Sequence, residues 1–214
     1  MVSRTSFSGA AGSQAGCRWA AVVVMASALW VTGCGSEAVR TGSGPVYLVL
    51  NELAAAKGGA GDTGAFSTTL SSDVVTSGTV YEDLGRVTLS VAGKNITAPL
   101  TANNYVTMSR YHVDFVRSDG RNTQGVDVPY SFDGAVTFTV TDSPTSATFV
   151  LVRAQSKLES PLVNLRGGGG QIAISTIARV TFYGRDQVGN EASVTGDIGV
   201  NFADWGDPSS NGGN

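Results

Sequence analysis

The feature that most limits the fold of this 214-residue chain is a two-residue alternation of apolar and polar side chains. It is clearest over residues 86–91, where valine and leucine occupy the odd positions and arginine, threonine and serine the even ones. Successive side chains of a β-strand point to opposite faces, so this pattern is typical of a strand with one buried face. After residue 34, no stretch has the 3.6-residue period of an amphipathic helix. The sequence therefore predicts an all-β domain.

Turn signals divide the alternating segments into seven or eight short strands. The chain has 28 glycines and only 14% charged residues, a balance that favours short strands joined by many turns. The predicted strands cover residues 46–53, 69–76, 86–91 with a lead-in at 80–84, 105–116, 135–140, 147–154, 174–183 and 192–202. This arrangement predicts a single antiparallel β-sandwich, with a small barrel or a jelly roll as the competing architectures.

The strand predicted at residues 105–116 changes parity partway along its length. Val106 and Met108 lie on one parity, whereas the apolar residues from Tyr111 onward lie on the other. A one-residue shift moves side chains to the opposite face of a sheet. We therefore predict a bulge near Ser109–Arg110, or a crossing of the strand between two sheets at that point.

Three segments between the strands predict irregular structure. Residues 54–65 are too rich in glycine for a helix and predict a mobile loop. Residues 155–161 predict a simple break after a strand. The four glycines at 167–170 are not followed by the Lys-Ser/Thr pair of a phosphate-binding loop, so we expect a flexible connection there.

The last two predicted strands and their turn carry a family resemblance. An aromatic-rich strand, the turn Asp186–Asn190 and an alternating final strand, within residues 180–200, resemble the closing hairpin of bacterial immunoglobulin-like and fibronectin type III-like domains. The paired cysteines and core tryptophan of antibody domains are absent from these strands. The resemblance therefore implies an immunoglobulin-like sandwich and nothing finer.

The N-terminal segment indicates export. An apolar run from Trp19 to Trp30 follows a leader that contains Arg4 and Arg18 and no acidic residue. The run is shorter than the roughly 20 residues that span a bilayer, which predicts a cleaved signal peptide. The sequence Val31-Thr32-Gly33-Cys34 resembles the lipobox of bacterial lipoproteins, with valine where leucine is usual. It implies cleavage before Cys34 and diacylation of its thiol, the alternative being a plain secretory leader in which Cys34 is incidental.

These assignments give a predicted domain organisation. They comprise a lipoprotein signal peptide (1–33), a flexible tether (34–44), a β-sandwich domain (45–204) and a disordered tail (205–214). A tether of about ten residues spans roughly 17 Å as a random coil, so we expect the domain to lie close to the membrane.

The composition of the mature chain excludes some classes of function. Loss of the 33-residue leader, with its two arginines, leaves 181 residues and changes the formal net charge from −3 to −5. The remaining basic residues are scattered, so no nucleic-acid partner is expected. Cys17 is lost with the leader and Cys34 is assigned to the lipid, so the domain is predicted to have no disulfide.

Two groups of residues carry side chains that could support chemistry. The single histidine, His112, has Asp114 two residues away as a possible partner, but no nucleophile motif accompanies it, and a polar outer strand face is the preferred interpretation. A calcium cage could use the oxygen-bearing side chains Asp186, Asn190, Glu191, Asp197, Asp204 and Asp207. Capping of turns by these residues is the preferred interpretation. We therefore predict no catalytic residue, no metal and no cofactor.

Charge and turn-forming residues collect in two loops, at 117–133 and 185–191, and loops of this kind commonly carry binding sites. The candidate binding residues are Arg117, Asp119, Arg121, Asp127, Tyr130, Asp186, Asn190 and Glu191. Tyr130, Tyr183 and Trp205 could add an exposed aromatic ledge, although core or edge packing is the commoner role of scattered aromatic residues.

The sequence as a whole predicts a lipid-anchored bacterial envelope lipoprotein that has a structural or binding role and is not an enzyme. Its partners would be the membrane, through Cys34, and an envelope protein or a glycan. Gly35 is not the aspartate associated with inner-membrane retention, so the resemblance to bacterial lipoproteins and their sorting rules implies the outer membrane if the cell has one. The alternatives are a secreted or envelope hydrolase whose site the sequence does not reveal, and a calcium-stabilised adhesin module.

Overall fold

A computed structural model describes residues 44–59 and 65–205. The predicted signal peptide, Cys34, almost all of the predicted tether, and residues 206–214 with Asp207 lie outside the described residues. The strands are β1 (Val46–Ala56), β2 (Thr69–Asp73), β3 (Asp83–Gly93), β4 (Val106–Val116), β5 (Phe132–Val140), β6 (Thr145–Val152), β7 (Ile174–Asp186) and β8 (Glu191–Ala203). None of the helices in this part of the chain has the length and apolar character required to cross a membrane.

The strands form two sheets. One has three strands in the order β1-β3-β6, and the other has five in the order β2-β8-β7-β4-β5. All neighbouring pairs are antiparallel except β2 with β8, which is parallel. The predicted all-β sandwich is therefore confirmed, with one parallel edge pair that the strand pattern did not predict.

The parity change in β4 comes from a bulge. The register of β4 shifts between Met108 and Arg110 against both β5 and β7. Val106 and Met108 before the shift, and Tyr111 and Phe115 after it, are all buried. The predicted bulge at Ser109–Arg110 is confirmed, and it keeps apolar side chains inside on both halves of one long strand.

The prediction of a loop beginning at residue 54 is wrong for its first three residues. Ala54, Ala55 and Ala56 belong to β1, are buried, and pair with residues of β3. A register shift between Leu50 and Glu52 brings Leu53 and Ala55 inward after it. Low-complexity composition suggested a loop, but pairing with a central strand outweighs the weak strand preference of alanine.

The prediction of a simple break after β6 is wrong as well. Residues Ala154–Leu158 form a short helix, α1, which is followed by a 3-10 helix at Leu162–Leu165. A second 3-10 helix, Ala102–Asn104, lies between β3 and β4. Five residues cannot show a helical period in the sequence, so tertiary contacts decide this element.

An aromatic cluster joins the two sheets. Tyr111 and Phe182 come from the five-stranded sheet and Phe149 from β6, with ring centroids 5.0 Å to 6.1 Å apart. The N–H of Val150 donates to the hydroxyl of Tyr111 at 3.2 Å. Burial raises the pKa of Tyr111, and the Val150 hydrogen bond offsets part of that effect. The buried hydroxyl is thus satisfied by the opposite sheet, which fixes how the two sheets face each other.

The sandwich has two distinct ends. Strand β4 pairs with β7 from Val106–Asp186 at one end to Val116–Ile177 at the other, and its eleven residues span about 33 Å. At the first end the N–H of Lys94 donates to the carbonyl of Pro45 at 2.9 Å, where the described chain enters the domain. We call this the entry end and the opposite one the far end.

Candidate functional site

The loop between β4 and β5, residues 117–131, begins with a charged cluster at the far end. The guanidinium of Arg117 donates twice to Asp119, at 2.6 Å and 3.0 Å, and that of Arg121 donates at 3.2 Å. The Arg117 hydrogen bond holds the pKa of Asp119 well below its usual range, and the N–H of Arg121 adds to this effect. The same contact with Asp119 raises the pKa of Arg117. The first part of the loop, residues 117–121, is therefore held together by one carboxylate that lies between two guanidiniums.

The second half of this loop folds around a buried valine. Val128 is fully buried, and its carbonyl accepts the N–H of Gly125 at 2.8 Å. The side-chain carboxylate of Asp127 accepts the backbone N–H of Thr123 at 3.3 Å, so Asp127 supports the backbone of its own loop. Tyr130 lies against Gly125, where an added Cβ would be 2.2 Å from the tyrosine oxygen. The buried side chain of Val128 and the hydrogen bonds within the loop therefore hold its second half in place, and Tyr130 remains exposed.

The turn between β7 and β8 lies at the entry end and is organised by Asp186. This carboxylate accepts the N–H groups of Val188 at 3.0 Å and Asn190 at 2.8 Å, and the side-chain amide of Asn190 at 2.8 Å. Burial raises the pKa of Asp186, but these hydrogen bonds outweigh burial, so the pKa is lower than its ordinary value. Asp186 and Asn190 therefore cap a turn. Glu191 is exposed and pairs with Arg185 at 2.7 Å.

The structure does not bring the two sets of candidate binding residues together. Arg117, Asp119, Arg121, Asp127 and Tyr130 lie at the far end, beyond Val116. Asp186, Asn190 and Glu191 lie at the entry end, beside the start of β4. About 33 Å of strand separates the sets, so they form two surfaces rather than one.

His112 lies on the outer face of the five-stranded sheet. Its Nδ1 is 3.2 Å from Asp133 on β5, and Arg110 also approaches Asp133, at 3.6 Å. Asp114, the partner considered from the sequence, is instead paired in register with Arg179. Sequence reasoning missed Asp133 because it becomes a neighbour only through the pairing of β4 with β5. The contacts of His112 are therefore those of a polar side chain on the outer face of the sheet.

The residues considered for calcium are dispersed. Asp197 forms two hydrogen bonds with Arg179 on the outer sheet face, at 3.1 Å and 3.3 Å. Asp204, after β8, accepts the N–H of Gly167 at the far end, whereas Asp186 lies at the entry end. Across residues 44–59 and 65–205, no group of three or more His, Cys, Asp or Glu side chains is arranged to hold a metal ion.

The three aromatic residues considered as a ledge are also divided. Tyr183 lies on the outer sheet face under the guanidinium of Arg110, which is 3.9 Å from the ring centroid. Trp205 follows β8, where its backbone N–H donates to the carboxylate of Asp73 at 3.1 Å. Tyr130 is in the far-end loop. Of the three, only Tyr130 adds aromatic surface to the charged cluster on that loop.

A buried ion pair was not found by sequence reasoning. The amine of Lys157 on α1 is 2.9 Å from Asp83 at the start of β3, and both side chains are almost fully buried. Asp83 also accepts the hydroxyl of Ser72 at 2.6 Å and the N–H of Gly58 at 2.9 Å. No spacing in the sequence links these residues, since they come from four separate segments.

The fold and these surfaces define a class of protein, an all-β sandwich with an ordered, charged loop at the end opposite chain entry. Comparisons with known proteins take the assignment no further. No protein-family model, curated protein or solved structure matches the chain.

Proposed function

We propose that this protein is a lipid-anchored envelope lipoprotein whose far-end loop binds a protein or glycan partner. The lipid anchor is supported by Val31-Thr32-Gly33-Cys34 and the apolar leader before it. The binding role is supported by the ordered loop at residues 117–131. If the cell has two membranes, the outer one carries the protein.

We also propose that the sandwich is of the immunoglobulin-like type, and its strand order supports this. Immunoglobulin domains place strands A, B and E in one sheet and G, F, C and C′ in the other. Here β1, β3 and β6 correspond to the first set, and β8, β7, β4 and β5 to the second. Tyr111 lies in the core on β4, the strand on which antibody domains carry a buried tryptophan.

The observation on which the binding proposal depends is the separation of the two ends. The described chain starts at the entry end, where a Cβ added to Gly44 would be 3.4 Å from Asn190 Cβ. An anchor attached through this segment leaves the far end pointing away from the membrane. The loop at residues 117–131 is then the surface that a partner meets first.

The chemistry of the loop suits recognition. Arginine and tyrosine are the residues most often found at the energetic centres of interfaces, and Arg121 and Tyr130 are both exposed. Because the loop is already held by its own hydrogen bonds, little conformational freedom is lost on binding. No catalytic step is required for this role.

The anchor is tested by labelling. Cells that produce the protein are given radiolabelled palmitate, and the mature N-terminus is analysed by mass spectrometry. Label and a diacylated Cys34 are expected in the wild type, and both should be lost in the C34S variant. An unlabelled wild-type protein, or a mature N-terminus elsewhere, would show that the leader is a plain secretory signal.

The binding surface is tested by site-specific crosslinking in intact cells. A photoreactive amino acid replaces Val126 in the far-end loop or, as a matched control, Val188 at the entry end. A discrete adduct is expected from position 126, and it should be lost when R121A and Y130A are added but retained with R185A. Glycosidase treatment of the adduct then separates a glycan from a protein partner. Adducts that survive R121A and Y130A would place binding elsewhere.

A further inference from the structure

Two large apolar side chains are unusually exposed at the entry end. Ile96 is 95% exposed and Val188 is 70% exposed, the highest values among the large hydrophobic residues of the described chain. Ile96 is in the turn after β3, where the N–H of Ala98 donates to the carbonyl of Asn95. Val188 is at the tip of the turn organised by Asp186. Both project from tight turns that border the same end of the sandwich.

These two turns flank the point at which the chain enters the domain. Pro45 is hydrogen bonded to Lys94 beside the first turn, and Gly44 lies against Asn190 in the second. Any surface to which the preceding segment is tied therefore lies nearest the end of the domain that carries Ile96 and Val188. We propose that the entry end rests on the lipid bilayer and that these two side chains contact its interface. This inference rests on the proposed function, because it requires the anchor at Cys34.

The length of the tether decides between the two possible orientations. The ten residues from Gly35 to Gly44 reach at most about 35 Å when fully extended, and roughly 17 Å as a coil. The sandwich is itself about 33 Å long along β4. The far end could touch the bilayer only if the tether ran, fully extended, along the whole domain. The entry end can do so with the tether in any conformation.

The charges at this end favour apolar contact over electrostatic attraction. Arg185 and Glu191 neutralise each other at 2.7 Å, and Asp186 is buried within its turn. Lys94 and Asp142, which lie near the same end, are opposite in sign. The described side chains at this end carry no net positive charge to attract anionic lipid, so contact should not depend on anionic headgroups.

The test uses the lipidated mature protein in phosphatidylcholine vesicles. An environment-sensitive fluorophore is attached to a single cysteine introduced by I96C, V188C or, as a far-end control, V126C, since Val126 is also 66% exposed. Lipids carrying a nitroxide in the acyl chain quench a fluorophore at the interface. We expect several-fold stronger quenching at positions 96 and 188 than at 126, and no added quenching when phosphatidylglycerol is included.

Contact and anchoring can fail separately in this experiment. A protein that does not float with the vesicles would overturn the anchor, and the inference with it. A protein that floats but is quenched equally at all three positions, at none of them, or only with anionic lipid would overturn the apolar contact alone. As a second measurement, I96N with V188N should reduce quenching of a label at Ala98 while flotation is kept, and unchanged quenching would also count against the contact.

Discussion

Lys157 and Asp83 show how strongly a single pair of residues can constrain this fold. Asp83 forms an ion pair with Lys157 of α1. It also accepts hydrogen bonds from the hydroxyl of Ser72 in β2 and from the N–H of Gly58 after β1. A buried ion pair adds little net stability compared with apolar residues, because both charges lose their hydration. Removal of one partner is costly, since the other charge then remains buried without compensation.

The first prediction concerns this pair. K157M should lower the free energy of unfolding by about 3–5 kcal/mol, because the side chain of Asp83 would remain buried without its partner. Urea unfolding of the C34S protein measures the change. As a matched control, R185A breaks an exposed pair and should cost less than about 1 kcal/mol.

The double variant D83N/K157M separates the ion pair from simple packing. Asparagine keeps an acceptor for Gly58 and carries no charge, so the double variant should be more stable than K157M alone. Costs that simply add would show that the two residues act independently.

The second prediction concerns the acid stability that Asp186 provides. Folding lowers the pKa of this carboxyl, so the unfolded chain takes up the proton first as the pH falls. The stabilisation from ionised Asp186 is complete above its unfolded pKa, about 3.9, and is lost as the pH falls through the lower folded value. D186N should therefore be destabilising at neutral pH, and its deficit relative to wild type should shrink below about pH 4.

Urea unfolding across this pH range measures the deficit. D142N, at an exposed aspartate in the turn between β5 and β6, removes the same charge outside the turn organised by Asp186 and serves as the control. A D186N deficit that stayed constant down to about pH 2.5 would mean that the lost contacts do not depend on the charge.

At the scale of the elements, the bulge in β4 explains a glycine in its neighbour. Gly184 on β7 faces Met108 next to the register shift. A Cβ at Gly184 would lie 2.5 Å from the carbonyl oxygen of Thr107 and 3.0 Å from Cα of Met108. Both are backbone atoms, so no side-chain rotation relieves the clash. The bulge and the glycine therefore belong to one local structure.

The third prediction follows from that contact. G184A should destabilise the protein by about 1–3 kcal/mol, because the backbone of β7 or of β4 must shift to make room for the added methyl group. The control is G196A in β8, where the added Cβ would meet the ends of the side chains of Leu50 and Leu53. Those side chains can turn away, so G196A should cost less than G184A. Equal costs in thermal unfolding would contradict the role assigned to the bulge.

The elements also show which sequence signals were sufficient. The alternation in β3, β7 and β8 placed these strands within a few residues, because each has one face in the core and one outside. The parity change in β4 was enough to predict its bulge. The alternation could not reveal the three buried alanines of β1, which form an unbroken apolar run, or the helix α1, which buries the polar residues Ser156 and Lys157 and exposes Leu158.

At the scale of the whole molecule, the candidate sites depend on which loops share an end. The charged loop at residues 117–131 and the turn at 186–190 look alike in sequence, as both are polar and rich in turn-forming residues. The structure makes the first an ordered surface far from chain entry and the second a capped turn beside it. Their separate positions are the reason for assigning them different roles.

The fourth prediction concerns metal dependence. Excess chelator should leave the melting temperature unchanged, and millimolar calcium should not raise it. The reason is that Asp186, Asp197 and Asp204 lie apart and already accept hydrogen bonds from the protein. Differential scanning calorimetry with and without chelator measures this. A clear rise with calcium, absent with magnesium, would support the calcium-stabilised adhesin instead.

The sequence by itself determined the all-β class, most strand positions, the β4 bulge and the residues that carry charge in the loops. These properties depend on side-chain order along one strand or turn, which a single sequence contains. Only the tertiary structure decided that β2 runs parallel to β8, that Asp83 meets Lys157, that Asp133 faces His112, and that the two charged loops lie at opposite ends. Those contacts join residues far apart in the chain, and they are made by strand pairing within a sheet and by tertiary packing rather than by local pattern.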